Sequence, residues 1–232
     1  MIRSINYKSR ILLLPIFAAA FAAAIFGQST TGTVTMTATA SKFVEINSAG
    51  AVTLTGNSGG GITTNGTLNS PLAVVINLGE VGPSNPSSFV KATVPLKLRS
   101  NAAYVLSAQA TVTSSASTAN RVTAADIGFG LGSVSRTGVG VATGSDTNTT
   151  AGDPTLTGAI NGSSGRFEFT AVRSNLGAFA SSVTALSGSY IMNAVPRSNS
   201  NGLTVPAIFA IKPQFYENGT TSATVTFTVT AP

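Results

Sequence analysis

The chain has 232 residues, no cysteine, no histidine and no tryptophan, and only 9% of it is charged, against roughly 25% in an average soluble domain. Without histidine there is no imidazole general base and no Ser-His-Asp triad; without cysteine there is no thiolate nucleophile, no disulfide and no thiolate metal site. The formal net charge of +6 falls to +3 once the three basic residues of the first ten are set aside, and the remaining basic residues are too scattered to make a phosphate-binding stripe.

Residues 1–27 read as a secretory signal peptide. Arg3, Lys8 and Arg10 form a basic start, the run Ile11–Phe26 is rich in Leu and Ala, and small residues follow. Cleavage is expected after Ala24, or after Gly27 just before Gln28. The competing reading is an uncleaved anchor; about 16 apolar residues is short for a span that needs roughly 20.

Residues 28–232 read as a single β-sandwich domain. Thr, Val, Ser and Gly dominate, and regular Gly and Asn breaks favour strands joined by turns. Thr33–Ala40 alternates cleanly, with Val34, Met36, Ala38 and Ala40 on one face and threonines on the other. Period-2 alternation predicts a strand with one buried face. Shorter strands are expected at Phe43–Ile46 and Ala51–Thr55, followed by a glycine-rich loop at Gly56–Gly61. The continuous apolar run Leu72–Leu78 predicts a central strand.

Phe89–Leu98 is the clearest strand. Val90, Ala92, Val94, Leu96 and Leu98 face inward; Lys91, Thr93, Pro95, Lys97 and Arg99 face outward. Pro95 cannot donate a ladder hydrogen bond, which predicts an unpaired edge or a bulge there. Ser100-Asn101-Ala102 turns the chain into Tyr104–Val112, and the two strands are expected to pair as a hairpin. The pattern weakens from Thr113 to Gly165, read as a loop-rich excursion near residues 113–165 with a short strand or two. Arg166–Val172 restores the alternation, Asn175–Ser189 fits a short helix or a strand, and Leu203–Ile211 and Thr220–Thr230 close the chain. In the last segment Ala223, Val225, Phe227 and Val229 alternate with threonines. Nine or ten one-faced strands predict an all-β, antiparallel sandwich of immunoglobulin-like or jelly-roll-like type.

Three short motifs invite chemistry. Gly56-Asn57-Ser58-Gly59-Gly60 matches the nucleophile elbow, but that turn needs a helix after it and a histidine partner. Ser88-Phe89-Val90-Lys91 matches S-x-x-K, yet on a strand Ser88 and Lys91 fall on opposite faces. Asp146, Asn148 and Asp153 offer oxygens without the EF-hand spacing. Glu168 is the best-placed acid for glycoside hydrolysis and lacks an identifiable second carboxylate. No catalytic, cofactor or metal residue is therefore predicted.

The order of segments is signal peptide, Thr33–Ala40, sandwich core, then Ala223–Thr230. It resembles secreted pilin subunits of the chaperone–usher type, in particular the spore-coat-protein-U-like (archaic) branch. The stretch Val94–Ala108 is similar to that branch's mid-domain hairpin. The chain lacks the cysteine pair often found near the family's N-terminal strand and ends on Thr230-Ala231-Pro232 instead of the family's usual tyrosine. The resemblance implies an incomplete immunoglobulin-like sandwich whose groove accepts the N-terminal strand of the next subunit. The expectation is a non-enzymatic exported surface or filament protein, with copies of itself or related subunits as partners. Val34, Met36 and Ala38 would be the side chains inserted into a neighbour. The alternative is a secreted module binding polysaccharide or another ligand through exposed Tyr104, Tyr190 or Tyr216; an enzyme using Glu168 ranks third. Nucleic acid is not an expected partner, the membrane enters only through export, and the location is the cell exterior or surface, with a periplasmic one left open.

Overall fold

A computed structural model describes residues 35–192 and 201–232. The chain divides between Ala40 and Ser41. Thr35–Ala40, the described part of the first unit, carries no strand or helix and is exposed throughout. The strand expected over Thr33–Ala40 is therefore not formed within its described residues, and Thr33 and Val34 lie outside them.

Ser41–Pro232 is all-β. Among the described residues its strands are β1 (Val44–Ser48), β2 (Thr53–Thr55), β3 (Gly61–Thr64), β4 (Val75–Asn77), β5 (Val90–Ser100), β6 (Tyr104–Ser114) and β7 (Ile127–Leu131). They continue with β8 (Ser135–Thr137), β9 (Asp146–Asn148), β10 (Gly158–Ile160), β11 (Phe167–Phe169), β12 (Val183–Gly188), β13 (Gly202–Ile211) and β14 (Thr221–Thr230). The count exceeds the nine or ten expected because many are three-residue pieces. Every pairing between them is antiparallel.

One sheet runs β1-β5-β13-β7, with β2 beside β5 and β8 beside β13; a second runs β14-β6-β12-β9. Their inner faces share one core. Val90, Leu96 and Leu98 of β5 and Val205 of β13 meet Leu106 of β6 and Leu186 of β12 there. Phe129 of β7 lies with its ring 6.0 Å from Phe227 of β14 and 4.8 Å, edge to face, from Phe179. Each such side chain is worth roughly 1.5–3 kcal/mol when fully buried, so this layer holds the sheets together.

The inward face read for β5 is the buried one, and Tyr104, Leu106, Ala108 and Ala110 of β6 are buried likewise. The two strands do not form a hairpin. β5 pairs with β1, β2 and β13; β6 pairs with β12 and β14. Ser100–Ala103 carries the chain across the core from one sheet to the other. Ser100 Oγ caps the crossing by accepting from the Ala102 N–H (3.1 Å). Alternation reports which face of each strand is apolar, and two strands facing one core from opposite sides alternate just as a hairpin does.

Pro95 sits where sheet pairing lapses. It lies opposite Pro206 of β13, and its carbonyl accepts from Ala49 N–H (2.8 Å) in the gap between β1 and β2. The Pro206 carbonyl accepts from Gly132 N–H (2.8 Å) between β7 and β8. Each missing N–H thus falls at a break in the neighbouring strand.

Two further stretches differ from the expectation. Only Val75–Asn77 of the Leu72–Leu78 run is a strand; it pairs with β3 outside both main sheets, and Val75 is 55% exposed. Leu72, Val74, Ile76 and Leu78 still pack on the core, half-buried, so the run covers the core with one face only. The 113–165 excursion contributes β7, whose five residues are all buried in the first sheet. Its glycines hid it. A Cβ on Gly130 would lie 1.7 Å from the Gly152 carbonyl oxygen, and one on Gly128 would lie 2.7 Å from the Phe169 ring. A second layer of chain lies so close over β7 that no side chain fits there. Asn175–Ser189 holds both elements weighed for it: a 3₁₀ turn at Leu176–Phe179, then β12.

Candidate functional site

β14 is an edge. It pairs along its full length with β6, from Thr221 opposite Ser114 to Thr230 opposite Val105, and among the described residues no strand pairs with its other side. Ser115 N–H donates to Thr220 O (2.9 Å). Antiparallel ladders alternate, so the N–H groups of Thr221, Ala223, Val225, Phe227 and Val229 point to the free side. Val225, Phe227 and Val229 are half-buried against the core, while Thr224, Thr226, Thr228 and Thr230 are exposed. Long unpaired edges are templates for another strand.

The chain enters the sandwich at Ser41–Phe43. Asn101 holds this entry, donating from Nδ2 to Ser41 O (2.9 Å) and accepting from Phe43 N–H (2.7 Å). Lys42 Nζ donates to the carbonyl of Pro232, just beyond the end of β14. Of the three side chains picked for strand addition, Met36 is 90% exposed, Ala38 is exposed, and Val34 lies outside the described residues.

Several polar side chains elsewhere pair with one another. Arg136 on β8 grips Asp146 on β9 through Nε and Nη2 (2.8 and 2.7 Å), and Tyr104 donates to the same carboxylate (2.8 Å). Burial, then this carboxylate, pushes the Tyr104 hydroxyl pKa up. Arg136 also donates to the Ala142 and Tyr190 carbonyls, so the group ties the sheets at one rim. Arg166 pairs with buried Asp126 (2.5 Å) and lies over the Tyr216 ring; burial pushes the Tyr216 hydroxyl up to about 12. Lys91 pairs with Asp153.

These pairings account for the acids singled out in the sequence. Asp146 and Asp153 are each held by a cation, and Asn148 Nδ2 donates to Leu131 O (2.7 Å). Glu168 accepts from Asn161 and Ser164. Ser58 is an exposed loop residue bridged to Gly79, and Ser88 is exposed while Lys91 faces Asp153. Of the three tyrosines, Tyr104 is buried, Tyr216 is half-buried, and Tyr190 is 45% exposed. An open depression of about 530 Å³, bordered by Leu131, Asn148, Asp153 and Pro206, contains none of them.

Sequence reading missed the outer face of β5. Lys97 and Arg99 point away from the core yet are only 2% and 5% exposed. Asn69, with φ at +64°, places its Oδ1 3.0 Å from Lys97 Nζ and 3.2 Å from Arg99 Nη2. Arg99 Nε donates to Asn201 O (2.9 Å), and Arg99 Nη1 lies 3.5 Å from Glu45. Burial, then the neighbouring Arg99 charge, lowers the Lys97 pKa, and Glu45 opposes the shift. No spacing in the sequence links Asn69 to Lys97.

No family model, no curated protein and no solved structure matches the chain.

Proposed function

We propose that residues 28–232 are an exported, non-enzymatic structural subunit of a cell-surface layer or filament, and that copies join by β-strand addition. The Thr33–Ala40 segment of one copy pairs with the free side of β14 in the next. The observation that carries this reading is the coexistence of a ten-residue edge that no other strand flanks among the described residues and a segment of the same Thr/apolar alternation whose described part, Thr35–Ala40, is exposed and forms no strand. The lengths suit each other. Eight residues at about 3.3 Å each span roughly 26 Å, within the roughly 33 Å of β14.

In such a joint the backbone bonds set direction and register, and net only ~0.5–1.5 kcal/mol each. Val34, Met36 and Ala38 supply the rest by covering the half-buried rim at Val225, Phe227 and Val229. The resemblance to chaperone–usher pilins supports the same assembly logic.

Deleting Thr31–Ala40 tests it. Size-exclusion chromatography of the purified protein is expected to show assemblies for the intact chain and monomer for the deletion. Unchanged assembly in the deletion overturns the mechanism.

A further inference from the structure

The outer face of β5 holds a set of groups that the assembly reading does not use. Lys97 Nζ lies 3.0 Å from the side-chain oxygen of Asn69, and the two residues are 28 positions apart in the chain. Lys97 is almost completely buried. Asn69 is held from its own side: its N–H donates to Ser48 O (2.9 Å), Ser48 N–H donates to Ser70 O (3.0 Å), and Pro71 bridges Asn47. A buried primary amine and a half-buried carboxamide are thus fixed against each other.

We infer that Lys97 and Asn69 react to form an intramolecular amide, joining Nζ of Lys97 to Cγ of Asn69 with release of ammonia. The neutral amine attacks Cγ; the C–N bond forms as the carbonyl π pair moves onto Oδ1. Collapse of that tetrahedral centre expels the Asn69 nitrogen as ammonia. No oxidant or cofactor is required, and the atoms balance as amine plus primary amide giving secondary amide plus ammonia.

The neighbours suit each step. Arg99 Nη2, 3.2 Å from Oδ1, stands where negative charge develops on the oxygen. Burial and the Arg99 charge favour the neutral amine of Lys97. Glu45, on β1 directly opposite Arg99, is hydrogen-bonded by Asn47, and its charge acts on Lys97. It takes the proton from Nζ and returns it to the departing nitrogen. Fixing amine and amide in contact replaces a slow bimolecular encounter with an intramolecular one. The product clamps the 67–71 segment to a central strand in a chain with no cysteine for a disulfide. The cross-link stands whether or not copies assemble.

Intact-mass spectrometry of the purified, folded full-length product tests this. The expected mass is one ammonia below that of the sequence with the same N-terminus. Trypsin is expected to leave the bond after Lys97 uncut and to release residues 43–91 joined to residues 92–99. The variant Lys97→Arg keeps the charge but lacks the amine, and should regain the ammonia. Cyclisation of an N-terminal Gln28, or a succinimide at Asn69-Ser70, also loses ammonia, but neither needs Nζ and both would persist in that variant. Full sequence mass in the wild type, free peptides cut after Lys97, or an ammonia loss retained in Lys97→Arg overturns the inference. Should the variant not fold, the linked peptide in the wild type decides alone.

Discussion

β5 and β14 carry the same kind of alternation, and their outward faces meet opposite fates. On β5 the outward Lys97 and Arg99 are buried beneath Asn69 and Asn201. On β14 the outward threonines stand exposed beside Thr111 and Thr113 of β6. The first sheet has a further layer of chain over its outer side: the 66–71 segment, the 152–154 segment above β7, and the Phe167–Phe169 strand. The second sheet keeps a bare hydroxyl face around β14 and β6. Alternation therefore identifies the face toward the core. What covers the other face depends on distant segments of chain.

The largest effect expected from this difference is at Gly130. A Cβ there meets the Gly152 carbonyl oxygen at 1.7 Å, and both partners are backbone. Gly130→Ala should cost ~1–3 kcal/mol through overpacking. Thr111→Ala, on the bare face of β6, should stay within about 0.5 kcal/mol. Urea unfolding of the two variants measures the contrast directly. Equal midpoints would mean that the layer over β7 is no tighter than the open face.

Why one was legible and the other not follows from these residues. Val90 to Leu98, Tyr104 to Val112 and Thr220 to Thr230 announce their strands because one face is apolar and the other polar. β7 did not, because Gly128 and Gly130 occupy the face where a second layer leaves no room for side chains. The crossing at Ser100–Ala103 was invisible for a different reason: strand pairing is a long-range property, and adjacent alternating runs look alike in a hairpin and across a core. The contact between Asn69 and Lys97 is of the same kind. The edge of β14 was half legible: its alternation was plain, but not that no second strand flanks it among the described residues.

A smaller effect separates the covered layer by pH. Asp153 accepts from Thr155 N–H and Oγ1 (3.1 and 2.9 Å) and pairs with Lys91. Burial pushes its carboxyl upward, but Lys91 and Thr155 outweigh it and hold the pKa below the usual 3.8. A depressed folded-state pKa contributes stability above the unfolded value, and that contribution is lost as pH falls through the folded one. Both groups are close to a third exposed, so the pair is worth at most ~1 kcal/mol. Asp153→Asn should be the less stable chain at neutral pH, and its unfolding free energy should converge with the wild type's in acid. A constant gap across pH 2–7 would place the Asp153 contribution in something other than its charge.

The smallest effect on stability is expected where the effect on assembly is largest. Ala223 is exposed, and its N–H points away from β6, by the phase that the Ser115–Thr220 hydrogen bond sets. Proline is tolerated on an edge strand when its missing N–H faces outward. Ala223→Pro should therefore leave the β6 ladder intact and shift the unfolding midpoint little. On the free side it removes one donor and sets a ring against an incoming strand. If strand addition at β14 joins copies, this variant should elute as monomer while keeping its circular dichroism spectrum. It complements the deletion of Thr31–Ala40, because it alters the accepting edge and leaves the donating segment whole. Mixing the two variants sharpens the point. The deletion keeps a sound edge and the proline variant keeps a sound donor, so together they should form heterodimers that cannot extend. Assembly of the proline variant alone would move the acceptor away from β14.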